Sequence, residues 1–160
     1  MDLFTPVIPK ESWHPYFKNI QDKPNGFTCD VLVDWAKGFV DRDNKFVKEF
    51  QSTFNSSFWE LYLFALFKSM SFNIDFSKDR PDFVITAPIP FLVEATVALN
   101  AQNKPPEHLR INFSPPDDLN KFNNDQIIRV ANSIHSKIKK YRESYHKLNH
   151  VKNLPLCHCY

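Results

Sequence analysis

The chain has 160 residues, of which 42% are hydrophobic and 15% aromatic, enough for one domain with a bulky, Phe-rich core but not comfortably for two. Three cysteines exclude a disulfide framework, and no run approaches the roughly eighteen apolar residues of a membrane-spanning helix. The formal net charge of +2 is unevenly spread: Lys121 to Lys152 carries eight Lys or Arg against Asp125 and Glu143, a local +6 that leaves −4 elsewhere. The start, Met1-Asp-Leu-Phe-Thr-Pro6, lacks the basic and apolar stretches of a signal peptide. A reducing cytoplasm is therefore the expected setting.

Residues 1–45 read as an irregular arm, because Pro6, Pro9, Pro15 and Pro24-Asn-Gly26 interrupt any long element. One short helix is expected from Cys29, and Trp13, Phe17, Phe27 and Trp35 are the expected anchors of the arm; no chemistry is visible there. From Phe46, phenylalanines at 46, 50 and 54 mark one stripe of a helix. Asn55, Ser56 and Ser57 then offer caps for a principal helix over about 57–70, apolar nearly all round and so expected to be buried on most sides. One acid, Glu60, interrupts that run. Burying a lone carboxylate costs on the order of several kcal/mol, so Glu60 needs a solvated edge, a partner or a chemical role.

Phe72–Phe76 alternates like a half-buried strand, and 82–87 and 91–97 read as two more, joined through Pro88-Ile-Pro90. Period-two alternation puts Asp82, Val84 and Thr86 on one face, and Leu92, Glu94 and Thr96 on one face of the next strand. The register that would set both acids on the same side is left open. Residues 98–122, with Lys104-Pro-Pro and Ser114-Pro-Pro, read as a lid or binding loop. A long helix over about 125–148, capped by Asn123-Asn-Asp125, carries Ile127, Val130, Ala131, Ile134, Ile138, Tyr141, Tyr145 and Leu148 at three- and four-residue steps, a core stripe.

The ordinary readings of the three acids are a helix edge for Glu60, a turn after Pro81 for Asp82 and an exposed strand position for Glu94. Together, in this order, they suggest more. A helix with Glu60, then Pro81-Asp82, then Glu94-x-Thr96 resembles the PD-(D/E)XK nuclease superfamily. Phe50-Gln51, Phe58-Trp-Glu-Leu-Tyr-Leu63, Pro81-Asp-Phe83 and Val93-Glu-Ala-Thr96 resemble a group of uncharacterised bacterial proteins within it. The resemblance spans about 45–156, its tight motifs 50–96.

It implies an α/β fold, a restriction-endonuclease-like αβββαβ core with a mixed central sheet flanked by helices over 46–156, and metal-dependent phosphodiester hydrolysis of DNA. Glu60, Asp82 and Glu94, with the carbonyl of Ala95, are then the expected ligands of Mg²⁺ or Mn²⁺, a cation that needs few carboxylates. The superfamily pattern has Lys where this chain has Thr96, which can place a water but brings no charge. Lys68 or Lys137 is the candidate replacement, Lys137 being favoured because it borders the Ile134/Ile138/Tyr141 stripe. Lys137, Lys139, Lys140 and Arg142 are the expected contacts to DNA phosphates.

The competing class is a non-catalytic DNA- or protein-binding module that retains the fold; no membrane partner is expected, and a dimer is open. The ending, Asn153 to Tyr160, is unlike a core strand, whereas its codons read one base later can encode an apolar run. The expectation is a frameshifted, truncated chain whose last core strand is missing and whose residues 157–160 form an aberrant tail. Cys157-His-Cys159 with His150 also admits a zinc reading, but lacks the paired spacing of four-ligand sites.

Overall fold

A computed structural model describes residues 1–98 and 116–160. The fold is mixed α/β, with five α-helices and a four-stranded mixed sheet among the described residues. The chain divides into two compact units, Met1–Ala95 with Leu154–Cys159, and Thr96–Asn153 with Tyr160.

In the first unit the arm is largely helical. Helix α1 (Pro15–Asp22) starts where Pro15 presets the first turn and the His14 ring accepts from the Tyr16 amide. Helix α2 (Gly26–Trp35) is capped by the Asn25 side chain, which accepts from Phe27 at 3.0 Å. Gly26 and Pro24 thus begin a helix rather than prevent one. Phe17 is buried and Trp13 and Trp35 are partly so, but Phe27, an expected anchor, is 78% exposed.

Gly38, at φ 89°, makes the left-handed turn after α2 that a side chain would resist. Asp41 then receives the amides of Lys45 and Phe46 and so starts helix α3 (Phe46–Ser52). The Phe46, Phe50 and Phe54 stripe is buried with Leu3, Phe17, Leu32 and Leu61 in one cluster. Buried Gln51 ties the N-terminus down: its carbonyl oxygen accepts from Val7, and its amide nitrogen donates to the carbonyls of Leu3 and Thr5.

Helix α4 (Asn55–Ser69) is the hinge of the packing. Leu61 joins the α1–α3 cluster, while Leu63, Phe64 and Phe67 join a second cluster with Phe83, Ile85 and Val93 of the sheet. Two opposed apolar surfaces explain an apolar run with so little polar face. None of the three expected caps serves: the N-cap position is Phe54, with no side-chain bond.

Strands β1 (Asn73–Ile74), β2 (Phe83–Ala87) and β3 (Phe91–Ala95) form an antiparallel meander. Strand β4 (Leu156–Cys159) adds to β3 in parallel, with Glu94 beside His158. The strand expected to be missing after Pro155 is therefore present, and the residues read as an aberrant tail form most of it. Alternation was obscured because Cys and His stand where Val or Ile is usual; Cys159 nevertheless packs on the second cluster, and its carbonyl accepts from Trp59 Nε1 at 3.0 Å.

In the second unit helix α5 (Leu119–Glu143) begins four residues before Asn123, capped by Asp118, which accepts from Lys121 at 2.9 Å. Of the expected core stripe only Tyr145, which lies just after the helix, is buried: no residue of α5 itself is, and Ile127 and Ile128 are 65% and 56% exposed. Thr96 and Val151 are the other buried residues described in this unit. Of the loop expected over 98–122, residues 99–115 lie outside the described residues.

Candidate functional site

The first unit holds a cavity of about 420 Å³ at the end of the sheet where β2 begins. Three segments wall it: the turn from Phe39 to Lys45, the α3–α4 pair through Glu49 and Glu60, and the turn carrying Asp79, Arg80 and Asp82. Six acids and three bases line it, and their partners sort them. Asp41 and Asp43 bond the amides that start α3, and Asp43 also holds Lys45 at 2.9 Å. Asp79 holds Arg80 at 3.1 Å. Glu49, Glu60 and Asp82 are the remaining carboxylates on the wall, with Arg42 among them.

The pairing of β2 and β3 fixes the register that the sequence left open. Phe83 faces Val93 and Val84 faces Leu92, so one step further sets Asp82 opposite Glu94. Glu94 belongs by alternation to the Val84/Leu92 face and is 1% exposed, whereas Glu60 comes from α4, which packs on the Phe83/Ile85/Val93 face. Asp82 stands one residue before β2, where the two faces meet at the sheet end. Its Oδ2 accepts from the Ala95 amide at 2.7 Å, which locks the carboxylate across the hairpin beside Glu94. The structure thus brings Glu60 and Asp82 onto one cavity, and places Glu94 within electrostatic reach but off the cavity wall.

Electrostatics mark Glu60. Burial, followed by the negative charge of Asp82, pushes its carboxyl from the ordinary 4.5 up to about 8; Glu49 and Glu94 add to the rise, and Arg42 opposes it. A buried acid crowded by carboxylates is a perturbed group of the kind that clusters at functional sites. The donor chemistry fits a hard divalent ion: two carboxylates from different elements, with water completing the shell, suffice for Mg²⁺. Among the described residues no three His, Cys, Asp or Glu side chains are gathered so as to hold an ion by themselves.

Thr96 and Lys137 lie in the second unit. The Thr96 hydroxyl shares a hydrogen bond with the Tyr160 phenol, and Lys137 acts electrostatically on the same phenol. Lys68, the other candidate for the absent lysine, is committed elsewhere: its ammonium donates to the carbonyls of Asp34 and Lys37, at the end of α2. On α5, Lys139 lies 3.8 Å from Glu143, Lys140 lies 4.9 Å from the centre of the Tyr145 ring, and Arg142 is exposed.

Of the charged cavity residues only Glu60 and Asp82 were singled out by the sequence reading, and Glu49 and Arg42 are among those that escaped it. Glu49 sits on the side of α3 next to the Phe46/Phe50 stripe, and Arg42 sits in a segment that read as irregular arm. The alternation Asp41-Arg42-Asp43 just before a helix was the available signal. Comparison with family models, curated proteins and solved structures found no match to this chain.

Proposed function

We propose that the chain is a metal-dependent phosphodiesterase acting on DNA, with a restriction-endonuclease-like core. The observation that carries this reading is the cavity shared by Glu60 and Asp82, with Asp82 clamped by the Ala95 amide beside Glu94. The order of elements supports it as well: from α4 onward the chain runs helix, three strands of an antiparallel meander, helix, and a strand parallel to β3. A Mg²⁺ or Mn²⁺ ion held by Glu60 and Asp82 would polarise the phosphoryl group and activate water. Asp82 fixes the position of the site, because its second oxygen is held by a strand amide. Glu60, protonated near neutral pH while the cavity is crowded with acids, gives up its proton when a cation balances the charge. Glu94 supplies negative potential from the strand position opposite Asp82, and α5 offers Lys137, Lys139, Lys140 and Arg142 to phosphates.

A binding module that keeps this fold is the second reading, and Thr96 favours it, since its engaged hydroxyl brings no charge to the reacting phosphate. Cleavage separates the two. With duplex DNA and Mn²⁺ the wild-type chain is expected to cut, and Asp82→Asn to cut at least about 10²-fold more slowly. DNA binding without cutting would establish the module instead.

A further inference from the structure

We infer that Arg42 is the cationic group of the site, donating from its guanidinium to the non-bridging oxygens of a bound phosphodiester. This rests on the nuclease reading above and adds the residue that stands in for the lysine absent at Thr96.

Arg42 is built into the cavity rather than draped over it. Its Nη1 donates to the carbonyl of Lys78 and, at 3.4 Å, to that of Pro81, the residue before Asp82. The same turn therefore fixes both the arginine and the carboxylate. Both of these bonds use one terminal nitrogen and go to neutral acceptors. Among the described residues Nε and Nη2 make no hydrogen bond, and no carboxylate lies within 4 Å of the guanidinium. The other two cations of the wall are matched, Lys45 by Asp43 and Arg80 by Asp79. Arg42 alone of the three thus lines the cavity with no carboxylate in ion-pair contact and two donors to spare, its charge acting on Glu60 and Asp79 only from a distance.

The chemistry asks for such a group. A phosphodiester entering a cavity lined by Glu49, Glu60 and Asp82 meets negative charge, and the transition state adds more. A guanidinium presents parallel N–H donors that match two phosphate oxygens, stays charged at any working pH, and transfers no proton. Its part is electrostatic and orienting. Lys68 is occupied at the end of α2 and cannot take this part.

The test compares full-length wild type, Arg42→Gln and Arg42→Lys on a DNA duplex with Mn²⁺, following single-turnover cleavage, Mn²⁺ affinity and thermal unfolding. Arg42→Gln is expected to cleave about 10²- to 10³-fold more slowly with Mn²⁺ affinity within about twofold of wild type. Arg42→Lys can still reach the turn carbonyls and keeps the charge, so it decides the matter if the Gln variant unfolds early: about a tenfold loss is expected, and a wild-type rate overturns the inference. Equal loss of Mn²⁺ affinity and rate in both Arg42 variants would make the residue a structural clamp only, and would overturn it. Wild-type cleavage by Arg42→Gln, with Asp82→Asn inactive, sinks the inference and leaves the nuclease reading standing. A wild-type chain that neither binds Mn²⁺ nor cleaves sinks both.

Discussion

Glu60 carries the clearest energetic signature in the molecule. Its carboxyl titrates near 8 in the folded chain against about 4.5 when unfolded, because burial and Asp82 disfavour the charged form. The folded state therefore holds its proton more tightly. The resulting cost is absent below pH 4.5, grows as pH rises from there to about 8, and is complete above it, on the order of a few kcal/mol. Glu60→Gln is accordingly expected to match wild type in urea unfolding at pH 4 and to exceed it increasingly up to pH 8. Parallel profiles for the two proteins would show that Glu60 is not strained in this way. At the scale of single residues the sequence made Glu60 and Asp82 legible, because a lone acid in an apolar helix and an acid after Pro81 both stand out. Arg42 and Glu49 were not legible: each sits in an unremarkable local context, and only the fold of the 39–45 turn and of α3 brings them to the cavity. Glu94, also read as a ligand, lies opposite Asp82 across the β2–β3 pair and acts on Glu60, but is not on the cavity wall.

Among the elements, those with packed apolar surfaces were read most accurately. The Phe46/Phe50/Phe54 stripe, the α4 run and the 83–87 and 91–95 strands all appear close to where periodicity placed them, because each buries the face that its pattern defines. The failures have physical causes. Pro15 and Asn25 were taken as breakers, whereas at a first turn and an N-cap they start helices. The α5 stripe is real as a period but is not covered within its own unit, so periodicity there did not report burial. Strand β4 escaped because its residues have weak strand propensity; pairing with β3 and the Trp59 bond hold it instead. Trp59→Phe, which keeps the ring and deletes the donor, is expected to speed hydrogen exchange of the β4 amides about fivefold, the equivalent of roughly 1 kcal/mol. Unchanged protection would mean that the ladder alone secures the strand.

The whole chain is arranged so that the first unit is closed by its two distant ends. It leaves after Ala95 and returns at Leu154, and β4 then covers the edge of β3 that carries Val93, Glu94 and Ala95. The hairpin that fixes Asp82 is thus supported on both sides, by β1 and by β4, and α4 holds Glu60 against its end. Among the described residues no helix is long and apolar enough to cross a membrane. The acidic cavity lies in the first unit and the basic helix α5 in the second, matching the uneven charge that the sequence displays. The central claim is that this cavity is a divalent-cation site, and calorimetric titration of Mn²⁺ into the full-length protein at pH 8 tests it most directly. The account predicts one saturable site per chain in the wild type and at least a tenfold weaker site in Glu60→Gln and in Asp82→Asn. No saturable binding in the wild type, or equal binding by all three proteins, would contradict it.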